Sequence, residues 1–241
     1  MLSPEGFKTE EPLTTSHLTG VRAVFFDAVG TLLYPAAPVA ITYRHAALRH
    51  GVSIEEATIR HRLRDAFVRQ EQLDQVTGWR TSEAREVERW RHIVHDTLRE
   101  VDRPEPCFAE LWDWFRNPSA WKTHPETAVV LAELSARGLT LGMASNFDAR
   151  LAEIVSAKSE LQPLATRLVI SSLVGWRKPA PEFFAAIMAT VPLAAEQILF
   201  VGDDRRNDYE GAIAAGMRAV LLSNESTEGG SVTIATLMEM L

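Results

Sequence analysis

The chain of 241 residues has a single cysteine, Cys107, so no intrachain disulfide can form and a reducing compartment is the expected setting. No apolar run approaches the roughly 20 residues that cross a bilayer. Basic charge is also in short supply. Lys and Arg number 25 against 32 Asp and Glu, a net charge of −7, which argues against a nucleic-acid surface. Residues 1–20 lack the charged start and apolar middle of a secretory signal and read as a polar arm. The expectation is a soluble, cytoplasmic protein that binds neither nucleic acid nor membrane.

What is present is an ordinary globular composition, 46% hydrophobic and 24% charged, in a chain long enough for one large domain with an insertion. Residues 21–35, VRAVFFDAVGTLLYP, begin as a buried strand and end as a small-residue turn. From about residue 37 to 121 apolar residues recur at helical spacing, most clearly over Ile41–His50, Ile54–Val76 and Ser82–Val101. In the third stretch Val87, Trp90, Ile93, Val94, Thr97 and Leu98 share one face, leaving Glu, Arg and His to the other. Trp79, Trp90, Trp112, Trp114 and Trp121 all fall in this region and read as core filling for a helical bundle.

From Pro125 onward strands and helices alternate. Helices are predicted at Pro125–Arg137, Phe147–Ser156, Pro181–Thr190, Asp208–Ala215 and Thr233–Leu241. Strands are predicted at Leu139–Ala144, Arg167–Ser171, Ile198–Val201 and Arg218–Leu222, and SNESTEGGS at 223–231 reads as flexible. This predicts an α/β fold, a Rossmann-like parallel sheet with helices on both faces, in residues 21–36 and 122–241. An all-helical cap at 37–121 is inserted after the first strand.

Ligands of open parallel sheets bind beyond the carboxyl ends of the strands, so what ends each apolar run is informative. Asp27 follows VFF, Ser145 and Asn146 follow LGMA, and Asp203 and Asp204 follow LFVG, with Asp208 further on. Lys178 lies in the loop GWRKPAPEFF. Each alone has an ordinary explanation as turn, cap or surface residue. Together they supply a carboxylate nucleophile, a hydroxyl donor, a cation and an acid pair (Asp27 and Asp203) suited to Mg²⁺. Three basic residues of RHRLRDAFVRQEQ, Arg60, Arg62 and Arg64, read as a solvated face that could steer anions. The histidine pair His92 and His95, with His45 and His50 nearby in sequence, lacks the third ligand that zinc needs.

The ordered set DAVGT at 27–31, ASN at 144–146, Lys178-Pro179 and GDDRRND at 202–208 resembles the four motifs of the haloacid dehalogenase-like hydrolase superfamily. Within it, the chain is similar to the branch of domain-containing proteins related to a rhythmically expressed gene product. The resemblance implies that Asp27 is the nucleophile and a metal ligand, and that residue 29 coordinates Mg²⁺ through its carbonyl. Thr31, Ser145 and Asn146 would bind the phosphoryl group. Lys178 would steady Asp27 and the phosphate, and Asp203 and Asp208 would hold the metal site, with Asp204 nearby. The chain departs from the pattern at Val29, where the phosphatases carry an aspartate as general acid and base, a function worth about 10²–10⁴-fold in rate.

Three readings follow. One is a Mg²⁺-dependent hydrolase of a small phosphorylated metabolite, whose leaving group departs unprotonated or takes its proton from Tyr34 or a cap histidine. Another is a fold kept as a binding or regulatory module. The third is a metal-free 2-haloacid dehalogenase, which three acids in the last motif disfavour.

Overall fold

The computed structural model describes residues 17–223 and 232–241. Most of the polar arm at 1–20 and of the stretch 223–231 therefore lies outside the described residues.

Six strands form one parallel sheet in the order β5-β4-β1-β6-β7-β8. They are β1 (Ala23–Phe26), β4 (Thr140–Ser145), β5 (Leu168–Ile170), β6 (Ile198–Gly202), β7 (Arg218–Leu222) and β8 (Thr233–Ile234). β1 is central and wholly buried, with Ala23 opposite Thr140 on one side and Ile198 on the other. Its period-2 alternation divides the core. Val24 and Phe26 join Leu199 and Val201 on one face, while Ala23 and Phe25 join Ile198 and Phe200 on the other. Both faces are covered, which is why the strands read as unbroken apolar runs. Gly142 opposite Phe25 leaves room for that ring, since a Cβ there would overlap it.

Helices α5 (Thr127–Ala136), α6 (Arg150–Ser156), α7 (Ser171–Val174), α8 (Pro181–Ala189) and α9 (Gly211–Ala214) connect the strands. α8 begins with Pro181, where the missing N–H costs nothing. Two expectations are corrected. Thr233–Leu241 is not a helix: Thr233 and Ile234 pair with Leu221 and Leu222 as the sixth strand, and only a single 3₁₀ turn follows. Asp208–Ala215 is not one α-helix either, because Arg205–Glu210 is a π-turn that Asp204 caps and α9 starts after it.

Between β1 and α5 lie α1 (Val39–Arg49), α2 (Glu56–Val76), α3 (Glu83–Thr97) and α4 (Pro104–Arg116). They enclose a separate core around Tyr43, Ile59, Leu63, Ile93 and Leu111. Cys107 is buried there. Sequence periodicity missed α4, which opens on Pro104 and carries a second proline and four large aromatics in PEPCFAELWDWFR. A two-stranded antiparallel ribbon, β2 (Leu33–Pro35) with β3 (Trp121–Thr123), joins the insert to the sheet. Strands of three residues are too short to leave an alternation signal.

Candidate active site

The chemistry-bearing residues meet at the carboxyl edge of the sheet. Asp27 follows β1, Ser145 ends β4, and Asp203 follows β6. Ser145 Oγ donates to Asp27 Oδ1 at 2.9 Å. Lys178 Nζ donates to the same oxygen at 2.6 Å, to Asp208 Oδ1 at 2.5 Å and to the Ala144 carbonyl at 3.3 Å. Lys178 is only 2% exposed. Burial alone would lower its pKa, but Asp208 and then Asp27 outweigh that and raise it, so the lysine stays charged. Among the described residues Asp27, Asp203 and Asp208 form a carboxylate cluster, with one oxygen of each within 4.8 Å of the others.

Two glycines make that approach feasible. Gly30 has φ +101°, and a Cβ there would lie under 3.0 Å from the Asp203 carboxylate. A Cβ on Gly202 would overlap the Asp208 carboxylate in the same way. Both glycines stand inside the motifs DAVGT and GDDRRND, but the sequence alone does not show which carboxylate approaches each.

Asp203 has a pKa pushed up to about 6, first by loss of water around its carboxyl and then by Asp27. Burial also pushes Asp208 up, against the pull of Lys178. Neighbouring carboxylates that resist ionising together are a site that favours a cation.

The donor set suits a divalent ion. All three candidates are hard oxygens. Asp27 Oδ1 and Asp203 Oδ1 are engaged, the latter by Thr31 Oγ1 at 3.1 Å, while no hydrogen bond falls on either Oδ2 among the described residues. Asp208 differs, for its Oδ1 accepts from Lys178 and its Oδ2 from the Asp204 amide at 3.0 Å.

Other expected contacts are redirected. Asn146 Oδ1 accepts from the Lys178 amide at 2.7 Å and its Nδ2 donates to the Lys178 carbonyl at 3.1 Å, so its side chain holds the lysine loop. Thr31 is fully buried beneath Asp203 and does not line the cavity over Asp27. Asp204 caps the π-turn, accepting from the Arg206 and Asn207 amides. Tyr34 donates to the Gly30 carbonyl. Its pKa is raised by burial, then by Asp203 and Asp27. No histidine lines that cavity among the described residues; His95 faces Glu105 and His50 faces Glu110. Arg62 pairs with Glu100, away from the site.

The insert contributes residues that periodicity placed in water. Glu86 of α3 and Asp74 of α2 are buried against Arg177, the neighbour of Lys178, and Arg89 of α3 is buried against Asp74. Of the tryptophans, Trp114 departs from the expected core filling, being 46% exposed, while Trp90 and Trp112 pack against the insert's core, Trp121 is buried in the sheet's core, and all three also line a cleft between insert and sheet.

This arrangement now has a family. The haloacid dehalogenase-like hydrolase family matches residues 21–216. The chain belongs to it. A haloacid dehalogenase-like hydrolase domain-containing protein 3 from Bos taurus is 27% identical over 213 residues, 86% of this chain and 84% of that protein. A phosphoserine phosphatase from Thermus thermophilus is 33% identical over 129 residues, covering 53% of this chain and 52% of that one. Among solved structures, the HAD-hydrolase YfnB from Bacillus subtilis bound to magnesium superposes with TM-score 0.70 at 15% identity, over 91% of this chain and 96% of that one. That likeness concerns the haloacid dehalogenase-like fold, and the expected parallel sheet with surrounding helices is what the chain adopts. No helix among the described residues is long and apolar enough to cross a membrane.

Proposed function

We propose that the protein is a divalent-metal-dependent phosphatase for a small phosphorylated molecule, working through an aspartyl-phosphate on Asp27. One observation carries the reading: a single carboxylate, held on one oxygen by Ser145 and Lys178, stands beside two further acids, of which Lys178 meets Asp208 and leaves Asp203 to a further cation. Relatives named as phosphatases add support.

Asp27 attacks with the oxygen that Ser145 and Lys178 leave free. Ser145 Oγ and Lys178 Nζ are then placed to donate to a phosphoryl oxygen, and Lys178 offsets charge that accumulates there. Asp27 and Asp203 would hold the Mg²⁺, with the Val29 carbonyl, while Asp208 orients Lys178 and the metal's surroundings. The ion would neutralise the phosphoryl oxygens and the acid cluster. Asn146 acts as a positioning residue for Lys178, and Thr31 for Asp203. Residues 21–36 and 122–241 form the catalytic domain, and the helices of 37–121 act as a cap that shields the reaction from water.

Val29 offers no proton, Tyr34 is committed to a carbonyl, and the insert places no histidine at the site. Leaving groups therefore depart unprotonated. Val29 also favours a second reading, a fold retained for binding with little turnover.

Asp27→Asn is expected to abolish release of phosphate from an aryl phosphate in Mg²⁺, and EDTA to do the same to the wild type. Unchanged rates in Asp27→Asn would remove the nucleophile assignment. Halide release from a 2-haloacid that persists in EDTA would replace the phosphatase by a dehalogenase. If neither substrate turns over while Mg²⁺ raises the melting temperature, the binding module stands instead.

A further inference from the structure

Beside the acidic cavity over Asp27, about 350 Å³, lies a second of about 380 Å³, a cleft between the helices of the insert and the sheet. The two adjoin. Val29, Phe67, Trp90, Trp121 and Phe147 line both. Eight of the twenty residues lining the second cavity are aromatic, in a chain that is 8% aromatic overall. Its charged members are accounted for or peripheral. Arg150 is bound by Asp148 at 2.7 Å, with its guanidinium against the Trp112 ring, and the exposed Arg60 pairs with Glu56 at 3.1 Å. Arg64 is exposed.

Most of this lining is packed, Tyr43, Leu63, Phe108, Leu111, Trp121 and Phe147 being buried, but two of its apolar side chains are left open. Phe67 is 38% exposed and Val29 36%, each facing a cleft. Apolar surface left open beside a polar reaction centre marks a place for an apolar part of a ligand. Val29 stands at the junction. A carboxylate in its place would set a charge at the mouth of an aromatic chamber, at a desolvation cost. Valine makes that wall continuous.

We infer that the substrate is the phosphate monoester of an apolar phenol, with its phosphoryl group at Asp27 and its aromatic body in the chamber under the insert. The inference rests on the phosphatase reading and names its substrate class. An aromatic body fits an aromatic lining by edge and face contacts. A cavity of about 150 Å³ accommodates benzene, so one of 380 Å³ takes a body of two rings.

Leaving-group chemistry points the same way. A phenol ionises near pH 10, so phenolate departs without the proton that an alkoxide would demand and that this site does not supply. The Asp27 carboxylate forms its bond to phosphorus as the bond from phosphorus to the aryl oxygen breaks. The electron pair leaves as phenolate, which takes a proton from bulk water. Water then attacks the phosphorus of the aspartyl-phosphate, expels the carboxylate and gives its proton to solvent. Aryl phosphate and water become phenol and inorganic phosphate.

Calorimetric titration of the wild type in excess Mg²⁺ with methylphosphonate, phenylphosphonate and 1-naphthylphosphonate tests this. Naphthylphosphonate is expected to bind at least about tenfold more tightly than methylphosphonate, the discrimination that a small increment of buried apolar surface provides. Ala40→Phe, which fills the chamber from α1, is expected to bring that ratio toward one. In turnover, 1-naphthyl phosphate is expected to exceed cyclohexylmethyl phosphate in kcat by at least about 100-fold. If methylphosphonate binds and larger aryl groups add nothing, or if the alkyl ester turns over equally fast, the aryl substrate class is wrong and the phosphatase stands. If none of the three phosphonates binds, the phosphatase reading falls with it.

Discussion

At Gly30 a single hydrogen in place of a side chain decides whether the acid cluster can form. The backbone there is left-handed, and Asp203 sits where a Cβ would be. Gly30→Ala is expected to cost about 1–3 kcal/mol from backbone strain alone and to displace Asp203, lowering both urea stability and Mg²⁺ affinity. In the proposed mechanism, valine at position 29 also leaves the second step, hydrolysis of the aspartyl-phosphate, without a carboxylate there to activate its water. Stopped-flow mixing with an aryl phosphate is expected to show a burst approaching one equivalent of phenol. Val29→Asp is expected to raise the steady rate by at least about tenfold and remove the burst. Cys107, 1% exposed, has a thiol pushed up to about 11 by burial. It is expected to resist alkylation at pH 8 in the native protein and to titrate as one equivalent in denaturant.

At the scale of elements, α3 is the hinge between what periodicity shows and what it hides. Its apolar stripe, with Ile93, Val94 and Leu98, does face the insert's core. Its Glu86 and Arg89 also turn inward, onto Arg177 and Asp74. Glu86 Oε1 accepts from Thr81 at 2.7 Å as well. Backbone bonds fix the same seam: the Thr81 amide donates to the Gly175 carbonyl at 3.0 Å, and the Arg177 amide to that of Trp79 at 2.9 Å. The segment bearing Lys178 is thus clamped to the insert. Glu86→Ala takes from the buried Arg177 guanidinium the nearer of its two carboxylates, leaving Asp74 at 3.4 Å, and is expected to cost up to about 3 kcal/mol in urea unfolding, whereas replacing Glu86 and Arg177 together by Leu and Met costs less. Ser82, which caps α3 by accepting from the Arg85 amide at 3.2 Å, is expected to contribute about 1 kcal/mol, measured by Ser82→Ala.

For the molecule as a whole, the raised pKa values of Asp203 and Asp208 mark a cluster whose full ionisation is unfavourable, a cost that the proposed Mg²⁺ would offset. Mg²⁺ at about 100 times its dissociation constant is expected to stabilise the native state by about 2.7 kcal/mol. For a chain of this length that corresponds to a rise in Tm of about 5–10 °C, which Asp203→Asn should abolish. The runs that end at Asp27, Ser145 and Asp203 do meet at one edge of the sheet, and strands β1 and β4 to β7 were legible. Ribbon β2–β3, the sixth strand and helix α4 were not, because short strands and proline-bearing helices carry weak periodic signals. Asn146 and Thr31 were identified as site residues, but nothing local shows whether such a side chain faces substrate or a neighbouring loop.

The sequence by itself determined the parallel sheet and the edge on which its chemistry lies, because alternation is local and parallel strands present their carboxyl ends together. Tertiary packing alone decided that Glu86 and Arg89 are dry, that three tryptophans of the cores also wall a chamber, and that Val29 borders both cavities. Whether a side chain meets water, a partner or open space depends on residues remote in the chain, and no window of sequence contains them.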